Sequence, residues 1–174
     1  SGNVSPAETD PAVYFNSHIE LLVAKIEKVE TNPQGDKLYV ETMDDGSGTP
    51  RIIQSGLRPY LKEEELLGKH VIIAANLAPR KMKGVESRGM LLACDYTEDG
   101  KEKVELLTAP WAAPGTVISL EGSEPCEKPA KIDIDKFCKV SYKIENHNFM
   151  IAGKKALAAG KEITTEKADN CDVE

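Results

Sequence analysis

The chain has no apolar run near the roughly 20 residues that a membrane-crossing helix needs, and its first residues lack the basic-then-apolar layout of a secretory signal. Neither membrane insertion nor export by that route is expected. The four cysteines, Cys94, Cys126, Cys138 and Cys171, are widely spaced and form no CxxC pair. The three histidines, His18, His70 and His147, stand alone. Zinc sites usually show close Cys or His pairs, so neither a zinc centre nor a disulfide framework is expected. Unpaired thiols suit a reducing compartment, and the expected address is the cytoplasm. There is no P-loop, no dinucleotide-binding glycine motif and no HExxH. Glu63-Glu64-Glu65 reads as the negative charge of a helix N-terminus and not as a catalytic carboxylate pair. Catalysis is not expected of this chain, and neither is a cofactor.

What the 174 residues do offer is a composition 40% hydrophobic and 29% charged. That suits one globular domain of generous size, or two small ones sharing a core. The net charge is −7. Against it stands one stretch, Asn76 to Met90 (NLAPRKMKGVESRGM), where Arg80, Lys81, Lys83 and Arg88 face only Glu86 and give +3. The remainder of the chain therefore carries −10. The flanking runs Val71–Ala75 and Met90–Cys94 are apolar and of strand length. The fifteen residues are expected to form a long loop joining two strands. Pro79 limits ladder pairing there, and Gly84 and Gly89 permit turns or positive φ.

Elsewhere, residues 1–17 carry two prolines and little apolar periodicity, and are expected to be a flexible leader. Strands are predicted at Ile19–Val29, Lys37–Met43 and Arg51–Ser55, separated by the turn-rich stretches 31–36 and 44–49. A short helix follows, with Pro59 in its first turn, the three glutamates in its N-terminal half and Gly68 at its stop. Strands at 70–75 and 90–95 then bracket the basic stretch. Three strands, a helix and two strands is the element order of an OB-fold, a small five-stranded barrel; SH3-like barrels also run through short strands. Further strands are predicted at Lys103–Leu107, Thr116–Leu120, Cys138–Ile144 and Phe149–Ala152, the last two joined by a hairpin turn at 145–148. Residues 168–174 are expected to fray. The fold class is thus mainly β, an OB barrel with one short helix, followed by a smaller β-rich module packed on it.

Three pieces carry a family signature: Pro33-x-x-Asp36-Lys37-Leu38-Tyr39-Val40, Ser55-Gly56-Leu57, and Asn76-Leu77-x-Pro79-x-Lys81-Met82-x-Gly84-Val85-x-Ser87-x-Gly89-Met90. In these the chain resembles, over residues 18–95, the tRNA-binding domain of the endothelial monocyte-activating polypeptide II precursor. The same domain is known from C-terminal appendages of methionyl-, tyrosyl- or lysyl-type aminoacyl-tRNA synthetases. The bacterial protein Trbp and part of the phenylalanyl-tRNA synthetase β subunit are similar. The resemblance implies an OB-fold tRNA-binding domain over 18–122 and an extension over 123–174 that fills a surface used elsewhere for dimerisation. A monomer is then expected, with tRNA as partner and a synthetase in cis or in trans.

RNA binding begins with phosphate neutralisation by Lys and Arg and takes its preference from stacking and base-edge contacts. Arg80, Lys81, Lys83 and Arg88 suit phosphates, and Arg58 extends the surface. The resemblance implies that Asn76, Lys81, Ser87 and Met90 stand at positions of RNA contact. Asn76 and Ser87 suit base or 2′-hydroxyl hydrogen bonds, but equally suit side chain to backbone bonds that hold the loop. Met90 suits a base platform or the core. The expected function is structure-directed, non-catalytic tRNA binding that raises the local tRNA concentration for a synthetase. The alternative is a scaffold module of a multi-synthetase complex with little RNA affinity.

Overall fold

The computed structural model describes residues 10–127 and 129–174. The element order is α1 (Pro11–His18), β1 (Leu21–Asn32), β2 (Gly35–Asp44), β3 (Arg51–Ser55), α2 (Glu63–Leu66), β4 (His70–Ala74), β5 (Arg80–Met82), β6 (Val85–Ser87), β7 (Met90–Leu91), β8 (Ala93–Glu98), β9 (Lys101–Leu106) and β10 (Ser119–Leu120). Then follow α3 (Ile134–Phe137), β11 (Tyr142–Glu145), β12 (Asn148–Ile151), β13 (Lys154–Ala158), β14 (Lys161–Glu162) and β15 (Cys171–Asp172). The main sheet has the order β3-β2-β1-β4-β7, all antiparallel, and β7 comes back beside β3 to close the barrel. The helix α2 falls between the third and fourth barrel strands, as the OB-fold order requires. A second sheet, β10-β13-β12-β11-β15, belongs to the C-terminal half.

Two cores explain why the central strands read as continuous apolar runs. Along β1, Leu22, Ala24 and Ile26 point into the barrel, while Leu21 and Val23 point outward into a second core. The same alternation splits β4, with Val71 and Ile73 inside the barrel and Ile72 and Ala74 outside. A strand buried on both faces has no polar face to show. The outer core is completed by Phe137, Tyr142, Ile144, Phe149 and Ile151 of the C-terminal module, which thereby packs along the barrel wall. Polar clasps add to this apolar contact. The Glu105 carboxylate accepts the backbone N–H groups of Glu166, Lys167 and Ala168 at 2.7, 2.9 and 2.8 Å. Trp111 Nε1 donates to the Ala158 carbonyl at 2.8 Å.

Four expectations are corrected. The leader gives way to helix at Pro11–His18: the Asp10 side chain accepts from the N–H groups of Ala12 and Val13, and Ala12 and Phe15 are buried in the outer core. Residues 1–9 lie outside the described residues. The predicted strand at Cys138–Ile144 starts only at Tyr142, because Asp133 caps the helical turn α3 through the Lys136 N–H at 2.9 Å. The tail does not fray. Ala168 and Val173 are buried, and Glu174 exchanges two backbone bonds with Ala93 at 2.8 and 2.9 Å. Finally, the expected long loop contains the hairpin β5–β6. The predicted turn at 145–148 is a two-residue hairpin with Asn146 and His147 both at positive φ.

Candidate nucleic-acid interface

The basic segment owes its shape to a two-residue turn. Met82 pairs with Val85, and Lys83 and Gly84 between them have φ of 49° and 81°. Two successive positive φ values define the type I′ turn that matches strand twist, and glycine adopts its second position without a Cβ penalty. Alternation then puts Lys81 and Lys83 in solvent while Met82 and Val85 are half-buried. Arg80 and Arg88 are exposed as well. Arg88 Nε meets Glu86 Oε1 at 2.8 Å, but the side chains are 62% and 50% exposed and the pair contributes little.

Beneath the hairpin lies a buried polar cluster from three parts of the chain. Gln54 of β3 donates from Nε2 to the carbonyls of Met82 and Val85 at 2.9 and 3.1 Å, gripping both sides of the turn. Asn32 donates from Nδ2 to Gln54 Oε1 at 2.9 Å and to the Lys83 carbonyl at 3.1 Å. Its Oδ1 accepts the Gln34 N–H, which shapes the β1–β2 turn beside the hairpin. Ser87 Oγ accepts the Gln54 N–H at 2.9 Å and donates to the Gly89 carbonyl at 3.1 Å. Each of these groups is buried and partnered, so the hairpin is a fixed platform. Gly89 itself admits no side chain: its φ is 129°, and an added Cβ would stand 2.6 Å from the Ala74 carbonyl oxygen.

Asn76 anchors the root. It is 5% exposed; Oδ1 accepts the Glu20 N–H at 3.0 Å, and Nδ2 donates to the carbonyls of His18 and Ala130 at 2.7 and 2.9 Å. Backbone bonds from Ile132 N–H to the Asn76 carbonyl and from Ala78 N–H to the Ile132 carbonyl continue the seam. The C-terminal module is thus stitched directly to the start of the basic segment. Arg51 makes a second tie. Its Nε donates to Asp45 Oδ2 at 2.9 Å and its Nη1 to the carbonyls of Ala75 and Arg88 at 3.1 and 2.6 Å. Burial opposes ionisation of Asp45, but the Ser47 hydrogen bonds and the Arg51 guanidinium outweigh it and hold the carboxyl below its ordinary value.

The eight sequence-predicted site residues therefore divide. Arg80, Lys81, Lys83 and Arg88 are exposed on or beside one hairpin. Arg58 is exposed too, and its N–H bonds the Lys37 carbonyl at 3.3 Å, in the strand whose first residue, Gly35, packs beside the Lys83 side chain. Asn76 and Ser87 are buried and hydrogen-bond within the protein, Asn76 to Glu20, His18 and Ala130, and Ser87 to Gln54 and Gly89. Met90 is half-buried and packs against the outer core. Sequence reasoning missed Asn32, Gln54 and Arg51. The signal for Gln54 was weak, a single polar residue in the short run Ile52-Ile53-Gln54.

One more buried group lies inside the barrel. Glu41 is fully buried beside the Ser55 hydroxyl, which hydrogen-bonds its Oε1, while Oε2 has no hydrogen-bond partner among the described residues. Burial pushes its carboxyl up to about 8, against the lowering effect of the Ser55 bond.

Residues 21–116 match the family described as "Putative tRNA binding domain". The chain is 55% identical over 169 residues to the methionine–tRNA ligase of Treponema denticola, covering 90% of this chain and 21% of that protein. It is 41% identical over 150 residues to the cytoplasmic tyrosine–tRNA ligase of Xenopus tropicalis, covering 83% of this chain and 27% of that one. The chain thus spans about a fifth of the length of the methionine–tRNA ligase. Among solved structures, the C-terminal domain of Plasmodium vivax p43 superposes with a TM-score of 0.80 at 28% identity, over 91% of this chain and 98% of that one. No helix among the described residues is long and apolar enough to cross a membrane.

Proposed function

Because the chain belongs to the tRNA-binding domain family, a non-catalytic appendage of aminoacyl-tRNA ligases, we propose that its β5–β6 hairpin is the tRNA-binding element. The observation that carries this reading is the rigid presentation of Arg80, Lys81 and Lys83 above the buried Asn32–Gln54–Ser87 cluster. Cations held on a fixed platform meet phosphates with little ordering cost, and they do so without reading sequence. Arg88 and Arg58 widen the basic surface. Asn76 and Ser87 act on RNA only through the hairpin that they position.

The remainder of the chain is acidic, at −10 against +3 for the segment. Screening over roughly 8–10 Å at physiological salt leaves the local patch usable but limits its reach. Affinity from four or five cations is modest and steeply salt-dependent. Such a module works by raising the tRNA concentration near an attached or associated synthetase in the cytoplasm. The barrel over 18–122 supplies the site. The module over 123–174 covers the outer face of the barrel and keeps the protein monomeric.

The test is binding of total tRNA to the chain at two salt concentrations, beside the double variant Lys81→Glu/Lys83→Glu. Binding in the micromolar range that weakens with salt and is lost in the variant supports the proposal. No binding at low salt, with capture of a synthetase retained, would replace it by the scaffold reading.

A further inference from the structure

At the root of the hairpin, where the barrel and the C-terminal module meet, a cleft of about 230 Å³ opens. Its apolar walls include Pro50, Leu77 and Pro79, and its cations are Arg51, Arg88 and Lys131. Lys131 comes from the C-terminal module, and the Leu77–Ile132 bridge brings its neighbour alongside the root of the basic segment. Two carboxylates, Glu20 and Asp45, also line the cleft. They are only 7% and 8% exposed, whereas Arg88 and Lys131 are exposed. In the interior Asp45 is paired with Arg51 at 2.9 Å, whereas the positive charge of Arg88 and Lys131 stands at the mouth.

That distribution selects what fits. A phosphate would be held at the mouth by Arg88 and Lys131. A flat, uncharged heterocycle would lie between the proline and leucine walls, with its polar edge toward acceptors. The volume is below the roughly 300–1,000 Å³ of sites for larger ligands, and leaves room for one base and not for a base pair. RNA recognition favours such unstacked bases over those closed in a duplex.

We infer that this cleft receives one unpaired nucleotide of the bound RNA, base inward and phosphate on Arg88 and Lys131. The inference rests on the tRNA-binding reading and adds to it a second, strand-selective contact to which the C-terminal module contributes. Tertiary packing makes the site: without the Asn76 bonds to Ala130 and Ile132, Lys131 would have no fixed place.

The experiment compares the parent chain with Lys131→Glu, Lys131→Arg and the hairpin variant Lys81→Glu/Lys83→Glu. Each is titrated with total tRNA, with a single-stranded RNA oligonucleotide and with a blunt, fully paired RNA duplex. The inference expects Lys131→Glu to weaken tRNA and single-strand binding at least about fivefold, as loss and reversal of a phosphate contact would. Duplex binding should stay within about twofold, and Lys131→Arg should restore the parent affinity. Equal weakening for strand and duplex would show only a general charge effect and overturn the inference, as would no weakening at all. If the hairpin variant lost tRNA binding while Lys131→Glu kept it, the proposed function would stand and the cleft would fall. If neither variant changed tRNA binding, the proposed function itself would fail.

Discussion

Lys81 and Asn76 belong to the same fifteen-residue segment, yet one is exposed on the hairpin and the other is 5% exposed with both polar atoms of its side chain engaged. The tip presents charge and is held from below; the root holds and presents almost nothing. Charged tips tolerate change because water solvates whatever replaces them. Buried amides do not, since each partner they abandon loses its hydrogen bond inside the protein. The contrast predicts that tip and root separate binding from stability.

The largest effect is expected at the root. Asn76→Ala abandons the Glu20 N–H and the His18 and Ala130 carbonyls, and should destabilise the fold by about 3 kcal/mol in denaturant titration. A loss below about 1 kcal/mol would mean that water replaces the amide and that the root is not a clamp. The hairpin variant Lys81→Glu/Lys83→Glu should do the reverse. Its stability should stay within about 0.5 kcal/mol of the parent. Its tRNA affinity should fall more than about tenfold, with the salt slope reduced by about 1.5; an unchanged slope would show that these lysines meet no phosphates.

Glu41 extends the comparison to a buried polar group that lacks the full set of partners Asn76 enjoys. Its folded carboxyl, at about 8, lies above the ordinary 4.5, so the folded state binds the proton more tightly. The stability that this provides is complete below pH 4.5 and is lost as pH rises to about 8. Glu41→Gln, uncharged throughout, should therefore flatten that part of the profile. Its melting temperature should match the parent at low pH and exceed it above pH 8. Parallel profiles for the two chains would show that Glu41 is not the titrating group. The smallest effect belongs to the turn. Gly84→Ala places a Cβ at φ of 81° and should cost about 1 kcal/mol in thermal unfolding. It should lower tRNA affinity only as far as the hairpin loosens, and a neutral result would mean that the turn is not held as type I′.

Much of this molecule was legible in advance. The strand Arg51–Ser55 was predicted residue for residue, because branched residues at Ile52 and Ile53 end at a Ser-Gly pair. The apolar run before the basic segment was recognised as a strand, the run after it divides at Leu92 into β7 and β8 in separate sheets, and the short helix was placed by its glutamates. The hairpin within 76–90 was not recognised, since β5 and β6 have three residues each and carry no apolar alternation strong enough to register. The helix α1 escaped for a similar reason: it shows the outer core little more than Ala12 and Phe15.

The sequence by itself determined the order of the barrel strands, the position of the basic segment and the family signature that spans it. These are local: they rest on runs, turn residues and charge within a few neighbours. Only the tertiary structure decided which polar residues of that segment hold it and which face solvent. Asn76 finds its partners 54 to 58 positions away, and Ser87 finds Gln54 across 33. A side chain's role follows from whether the packed chain removes it from water and what it meets there, and no local pattern records that meeting.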